Sequence, residues 1–280
     1  LTNYQQHSTE IERAGFTILP DIYTQTEVTA ILAEIQAANT SGDTFRKTDD
    51  LFAIRQCVKE IPGLLKLVYN EQLSRLITQL FGSGYFITKS IYFDKPSKSN
   101  WFVAWHQDLT ISVNRKEQIE GFGPWTVKQN QFAVQPPLSI LGNNFTIRIH
   151  LDNTTAENGA LKVVPGSHAK GIYRPESIDW AIEKEETCEV PQGGVMIMKP
   201  LLLHASGRTT NQQQRRVLHI EFGKDKLPAP LEWSEYGPRA NDRLFEKTEN
   251  HVSEPEAVSA GKPVWQTGVL QPARQTKQHL

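Results

Sequence analysis

The spacing of apolar residues along this chain changes character once, near residue 84. Before that point it is largely helical. In TQTEVTAILAEIQAAN, Val28, Ile31, Leu32 and Ile35 recur at three- and four-residue intervals, which places them on one helix face. Thr24 with Glu27 three residues on has the form of a capping box. NEQLSRLITQLFG repeats the pattern with Leu73, Leu76, Ile77 and Leu80 and stops at Gly82. Between them and the N-terminus, GFTILP (15–20) is short, apolar and closed by proline, and predicts one strand among the helices. Each helix has a single apolar stripe, so each is expected to cover a sheet.

From residue 84 onward the apolar residues fall into short extended runs: YFITKSIYF, FVAWHQDLTISV, NFTIRIHLD, GALKVVP, GVMIMK and RVLHIEFG. Turn-forming stretches such as DKPSKSN, TTAENG, PGSH and PQGG separate them. Many short strands without strand–helix alternation predict a mainly β, antiparallel architecture, a sandwich or jelly roll with flanking helices. Residues 114–143 read as a long irregular insertion, a lid or pocket wall. After Gly223 the periodicity fades, so the chain is expected to consist of one domain over 1–223 and a loosely ordered C-terminal extension over 224–280.

Composition narrows the function more than the fold. With Lys+Arg 30, Asp+Glu 31 and a net charge of −1, the 280 residues carry no electrostatic footprint for nucleic acid or an anionic membrane, and a small-molecule partner is expected. Cys57 and Cys188 are too few for a disulfide framework and are expected to be buried packing residues. No apolar run approaches the ~18 residues of a membrane span. LTNYQQHSTE lacks the basic and apolar regions of a secretory signal, and the start at Leu1 suggests that upstream residues have been removed. A cytoplasmic location is expected.

The sharpest chemical feature is WHQD, with His106 and Asp108 two residues apart in a segment that reads as strand. Residues so spaced project from one face, so an imidazole and a carboxylate can reach a common point. A third ligand could come from His150, His168, His204, His219, His251 or His279. His204 has the most telling surroundings, in KPLLLHASGRTTNQQQRRVLHIEF, where a pair of arginines follows eleven residues later. Two imidazoles and one carboxylate bind one face of a divalent iron and leave positions open. A fixed guanidinium beyond them can hold a dicarboxylate through paired charge-assisted hydrogen bonds.

ERAGFTILPDIYTQTEV, FDKP followed by WHQDL, RIHLDNTTAENGALKVVPGSH and HASGRTTNQQQRRVLHIEF, in this order over residues 9–223, resemble the phytanoyl-CoA dioxygenase family of iron(II)/2-oxoglutarate-dependent oxygenases. The resemblance implies a double-stranded β-helix (jelly roll, cupin-like) core and iron held by His106, Asp108 and His204. It further implies 2-oxoglutarate and dioxygen as cosubstrates, with Arg215 on the distal carboxylate, Ser206 assisting and Arg148 lining the pocket. Strand parity separates Arg215 from Arg216 but does not say which points inward; the family spacing selects Arg215. Halogenating relatives replace the carboxylate ligand by a small residue, so Asp108 points to hydroxylation of a small-molecule metabolite.

Each residue also has a plainer reading. An isolated His-x-Asp is more often a surface hydrogen bond, and only His204 and the arginine in register favour the metal. His168 is expected to serve its turn, and His150 and His219 to be packed or hydrogen-bonded strand residues. Arg55 and Lys89 suit salt bridges as well as an anionic substrate. Trp105 reads as core. Trp125 and Gln135, in the insertion, are the expected substrate contacts. Two alternatives stay open: a non-catalytic jelly-roll protein that binds a metal or ligand, and an iron enzyme that uses the triad without 2-oxoglutarate.

Overall fold

In the computed structural model the described residues are 2–38, 45–47, 52–97, 101–128 and 131–237. Two expected helices are present, α2 (Gln25–Ala37) and α5 (Glu71–Phe81), joined by α1 (Tyr4–Ala14), α3 (Cys57–Glu60), α4 (Leu64–Val68) and α6 (Leu138–Asn143). The capping box of α2 is complete: Glu27 N–H donates to the Thr24 hydroxyl, and Thr24 N–H donates to the Glu27 carboxylate. The apolar spacing does not announce α1, because only Ile11 and Ala14 of its eleven residues are buried.

The strands are β1 (Phe16–Leu19), β2 (Phe45–Lys47), β3 (Phe52–Arg55), β4 (Phe86–Lys95), β5 (Val103–His106), β6 (Ile111–Val113), β7 (Trp125–Lys128) and β8 (Gln131–Val134). They continue with β9 (Phe145–His150), β10 (Leu161–Val163), β11 (Glu186–Cys188), β12 (Val195–Met198), β13 (His204–Ser206) and β14 (Arg215–Gly223). One antiparallel sheet has the order β1-β12-β9-β14-β4-β3-β2, and a second the order β11-β10-β13-β5. The chain steps between them: β9 in the first, β10 and β11 in the second, β12 in the first, β13 in the second, β14 in the first. That alternation makes the jelly roll. Its two sheets do not close into a barrel.

Alternation along each strand sorts residues into two layers. Phe145, Ile147 and Ile149 of β9, with Leu218, Ile220 and Phe222 of β14, face the helices and pack against Val28, Ile31, Leu73 and Ile77. The helices therefore bury the outer face of the larger sheet, as their apolar stripes require. Met196 and Met198 of β12 point the other way and pack against Leu161 and Val163 of β10, which joins the two sheets. Cys57 and Cys188 are buried free thiols.

Two parts of the chain are more regular than the sequence suggests. The segment expected to be irregular over 114–143 contains the β7–β8 hairpin, which pairs with β6 in a three-stranded sheet and carries α6 after it. Strands β2 and β3 lie within a region read as helical. A strand of three or four residues with charged neighbours shows too few alternations to outweigh its surroundings. Among the described residues, no helix is long and apolar enough to cross a membrane.

Past Gly223, the described residues 224–237 pack back onto the core: Leu231, Trp233 and Glu235 are buried, and the Trp233 indole N–H donates to the Asp225 carbonyl at 2.9 Å. The rest of the expected extension lies outside the described residues. Glu235 accepts the Ser90 backbone N–H at 2.7 Å and its hydroxyl at 2.6 Å. Burial pushes this carboxyl up to about 7, although both hydrogen bonds oppose the shift. A raised acid binds more protons folded than unfolded, so its contribution is complete below the unfolded value and is lost as pH rises through 7. Wild-type stability should therefore fall relative to Glu235→Gln between about pH 4.5 and 7.5, by at most ~3 kcal/mol. Urea unfolding of both proteins across that range checks it, and parallel pH profiles would show that Glu235 titrates normally.

Candidate metal centre

Strands β5 and β13 pair so that His204 lies opposite His106, and residues directly opposite share a face. The imidazole rings sit 4.2 Å apart between centroids. His106 Nδ1 is bound to the Ala104 carbonyl at 2.8 Å and His204 Nδ1 to the Leu202 carbonyl at 2.9 Å. A carbonyl only accepts, so both Nδ1 atoms carry the proton and both Nε2 lone pairs are left for the site. Asp108 lies just beyond β5, where its N–H donates to the Pro200 carbonyl at 2.9 Å. Its two oxygens stand 3.8 Å from His106 Nε2 and 3.8 Å from His204 Nε2. An ion with bonds of roughly 2.1 Å spans up to ~4.2 Å between ligand atoms, so both His–Asp separations are within one ion's reach, and the three ligand atoms all lie within 4.8 Å of one another.

Gln107, between the two ligands, is a part of the site that the sequence reading missed. Its buried side chain donates to the carbonyls of Leu201 at 2.6 Å and Gly171 at 2.9 Å and accepts the Tyr173 N–H at 2.8 Å. Pointing away from its neighbours, it ties the bend between His106 and Asp108 to the loops leading to β13. Burial pushes His204 down to about 4, so the imidazole is neutral and able to ligate at pH 7. Burial works against the Asp108 carboxylate, but the surrounding His204, His219 and Lys89 outweigh it and hold the acid below its ordinary range.

Asp108 belongs to a second cluster as well, with His219 and Glu221. Hydrogen-bond polarity separates the two. The Arg148 guanidinium is only a donor, and its Nη1 lies 2.9 Å from His219 Nδ1. His219 Nδ1 must therefore accept, Nε2 must carry the proton, and that proton points at Glu221 Oε1, 3.2 Å away. Lys89 donates to the same oxygen at 2.6 Å. Both ring nitrogens of His219 are thus committed and no lone pair is left for a metal. The set His106, Asp108 and His204 has its lone pairs free.

On the inward face of the larger sheet, next to this cluster, lies an unusual concentration of buried donors. Arg215 is 3% exposed, and its Nε and Nη1 have no hydrogen-bond partner. The Nε of Arg148, Nε2 of His150 and the hydroxyls of Ser206 and Thr209 are likewise buried without partners. Burial first, and Arg148 second, push Arg215 down to about 9. Arg216, on the opposite strand face, is engaged: its Nε and Nη2 donate to the two Asp152 oxygens at 2.9 and 2.6 Å. The structure therefore makes the distinction that parity left open, with Arg215 inward and Arg216 in a bidentate ion pair.

Lys95, fully buried, faces Arg215 across β4 and β14 and donates to the Gly207 carbonyl at 2.5 Å. It too was missed, although it is the lysine of FDKP. Gly159 stands over it with φ of +87°; a Cβ there would approach Lys95 Nζ to 2.7 Å and the Gly207 carbonyl oxygen to 2.9 Å, so the turn and the close backbone require glycine.

The remaining sequence candidates are more dispersed. His168 bonds the Glu12 carbonyl at 3.2 Å, and His150 bonds the Thr154 hydroxyl at 2.7 Å through Nδ1. Trp105 is half-buried against Trp180. A cavity of about 500 Å³ is walled in part by Thr126, Gln131, Phe132 and Ala133 of the insertion, with Arg55 and Lys89. Trp125 and Gln135 do not line it. Trp125 packs into the cluster around Phe86 and Trp233, and the Gln135 backbone pairs with Gly123 and Pro124.

Comparison with known proteins bears on the family and the fold. L-proline trans-4-hydroxylase of Streptomyces griseoviridis is 28% identical over 41% of this chain and 53% of its own length. Ectoine dioxygenase of Bordetella bronchiseptica is 25% identical over 58% and 48%. The chain thus spans about half the length of these two relatives. Among solved structures, the non-heme alpha ketoglutarate dependent epimerase SnoN from nogalamycin biosynthesis superposes with a TM-score of 0.61 at 17% identity, covering 84% of this chain and 93% of that one, and shares the fold. It has also been crystallised in complex with Fe3+ and alpha ketoglutarate. The family model for phytanoyl-CoA dioxygenase (PhyH) matches residues 11–217, most of the chain, and the protein belongs to that family.

Proposed function

We propose that the protein is an Fe(II)- and 2-oxoglutarate-dependent dioxygenase that hydroxylates an unactivated carbon of a small-molecule metabolite. The observation that carries the reading is the buried Arg215, whose Nε and Nη1 have no hydrogen-bond partner, beside a cluster of two imidazoles and a carboxylate. A guanidinium left without a counter-charge in a dry interior is costly, and a bound dicarboxylate removes that cost. A jelly roll that only binds a metal has no use for it, nor has an iron enzyme without an anionic cosubstrate.

The roles follow from the contacts. His106, Asp108 and His204 hold the metal, their geometry fixed by the two Nδ1–carbonyl bonds and by Gln107. Arg215 receives the distal carboxylate of 2-oxoglutarate, with Ser206 and Arg148 as further donors to the cosubstrate. The metal, with 2-oxoglutarate and dioxygen, supplies the oxidation in which decarboxylation to succinate accompanies hydroxylation. Asp108 fills a position that halide would need, which favours hydroxylation over halogenation.

One Fe(II) should bind per chain, and anaerobic titration with elemental analysis should show its loss in His204→Ala and its retention in His219→Gln. Retention in the first with loss in the second would move the metal to the cluster of Asp108, His219 and Glu221.

The cosubstrate is tested separately by the two adjacent arginines. Arg215→Met should keep its iron but bind 2-oxoglutarate about a hundredfold more weakly, since two charge-assisted hydrogen bonds together contribute ~3 kcal/mol. Arg216→Met, which loses the Asp152 pair, should lower the melting temperature with little change in that affinity. The iron–cosubstrate absorption band, followed without oxygen, reads binding without any primary substrate. Equal affinities in wild type and Arg215→Met would remove 2-oxoglutarate from the mechanism.

A further inference from the structure

The space between the two sheets is closed on one side and open on the other. In the larger sheet the inward residues Met196 and Met198 of β12, Arg148 and His150 of β9, and Val217 and His219 of β14 are buried. On β4 the inward side chains are Lys89, Ile91, Phe93 and Lys95, which lie opposite Glu221, His219, Val217 and Arg215. Lys95 is buried, but the first three are only half-buried. The smaller sheet changes in the same direction. Leu161 and Val163 of β10 and His204 and Ser206 of β13 are buried, whereas Val103 and His106, opposite Ser206 and His204 on the edge strand β5, are half-buried. The opening therefore lies between β4 and β5. The most exposed of the three candidate ligands, His106, with 39% of its side chain accessible, stands in it.

An aromatic pair crosses this opening. Phe93 stands edge-on to His219 with ring centroids 6.2 Å apart, and His219 shares a cluster with Asp108. Trp101, two residues before β5, lies nearly parallel to Phe93 with centroids 6.2 Å apart, and both rings are half-buried. With Ile91 and Val103 they make the wall beside the candidate ligands rich in carbon. The nearby charges are engaged or stand at the rim. Glu221 holds the Lys89 ammonium at 2.6 Å, and the exposed Arg208 lies over the Phe102 ring at 4.6 Å. Arg55, which continues the face beyond Ile91 on β3, donates to Gln131. A charged group carried past this wall would give up its water against carbon, which is costly. An uncharged ring loses little and gains offset and edge contacts with both aromatics.

We propose, resting on the oxygenase reading above, that the primary substrate enters between β4 and β5 and that the part of it presented to the metal is an uncharged ring held against Phe93 and Trp101. Phe93 is then the residue that selects a ring over an open chain.

The test uses the iron-loaded full-length chain saturated with 2-oxoglutarate. The ring probes are cyclohexanol, indole and tetralol; the contrasting probes are n-hexanol, glutamate and lysine. Melting temperature without oxygen reads binding, and 2-oxoglutarate consumption in air reads coupling. At least one ring compound should raise both, while the contrasting probes raise neither. Phe93→Leu should weaken that compound about tenfold or more, and Phe93→Tyr, which keeps the ring, should retain it, with iron and 2-oxoglutarate bound as in wild type. Val103→Phe, which narrows the opening from the β5 side, should weaken it as well. The proposal is overturned if the open-chain or charged probes act as well as the rings, if no ring compound binds, or if Phe93→Leu and Val103→Phe both bind it like wild type. A failure of the oxygenase reading looks different: iron or 2-oxoglutarate then fails to bind before any probe is added.

Discussion

A fold that places charged side chains on the inner face of a sheet must find each one a partner there, because an isolated charge in a protein interior costs several kcal/mol even after relaxation. In this jelly roll the inward positions of β9 and β14 are Thr146, Arg148, His150, Arg215, His219 and Glu221, with Val217 the apolar exception, and all are buried. Part of the demand is met internally. Arg148 binds His219, His219 binds Glu221, and Glu221 takes Lys89 from β4. What stays unmet is concentrated at Arg215, the Nε of Arg148 and the hydroxyl of Ser206. The interior is thus deficient in negative charge at one place, next to the candidate metal ligands.

The rest of the architecture keeps this face rigid. The opposite face of the same strands is filled by Phe145, Ile147, Leu218 and Ile220 against the helices, so neither β9 nor β14 can rotate its polar face away without exposing its core face. From the smaller sheet, pairing of β5 with β13 brings His106 to His204, while Gln107 anchors the bend that returns Asp108 to them. Two sheets converge: the smaller one presents the candidate metal ligands His106 and His204, the larger one the buried arginines.

Much of this was legible in the sequence, and what was not has physical causes. His106, Asp108 and His204 stood out because ligands must be particular residue types on one strand face, and the structure brings these three together. The helices α2 and α5 showed themselves through long apolar stripes. Arg215 and Arg216 could be assigned to opposite faces by parity, but inward and outward depend on which face packs against helices, a tertiary fact. Gln107 and Lys95 were missed because their value lies in partners distant in sequence, the carbonyls of Leu201 and Gly207. The surroundings of Trp125 were not legible either: as a large aromatic in a segment read as irregular it could not be placed, and in the β7–β8 hairpin its side chain joins the local core while its neighbours Thr126 and Gln131 line the cavity of about 500 Å³.

The hydrogen-bonded chain from Arg148 to Lys89 sets the charge state of this interior. Its two ends, arginine and lysine, can only donate, so polarity runs inward from each end and must terminate on an acceptor. Glu221 is that acceptor, taking the His219 proton from one side and the Lys89 proton from the other on the same oxygen. Burial alone would raise this carboxyl; Lys89, followed by His219, outweighs it and keeps the acid ionised. With Glu221 fixed as an anion, His219 is fixed in one tautomer, Arg148 is held by one of its nitrogens, and its Nε is left without a partner. Lys89, meanwhile, is spent on Glu221 even though it stands in the wall of the cavity of about 500 Å³. The same chain therefore leaves the interior's deficit of negative charge at Arg215 and the Arg148 Nε, next to the candidate metal ligands.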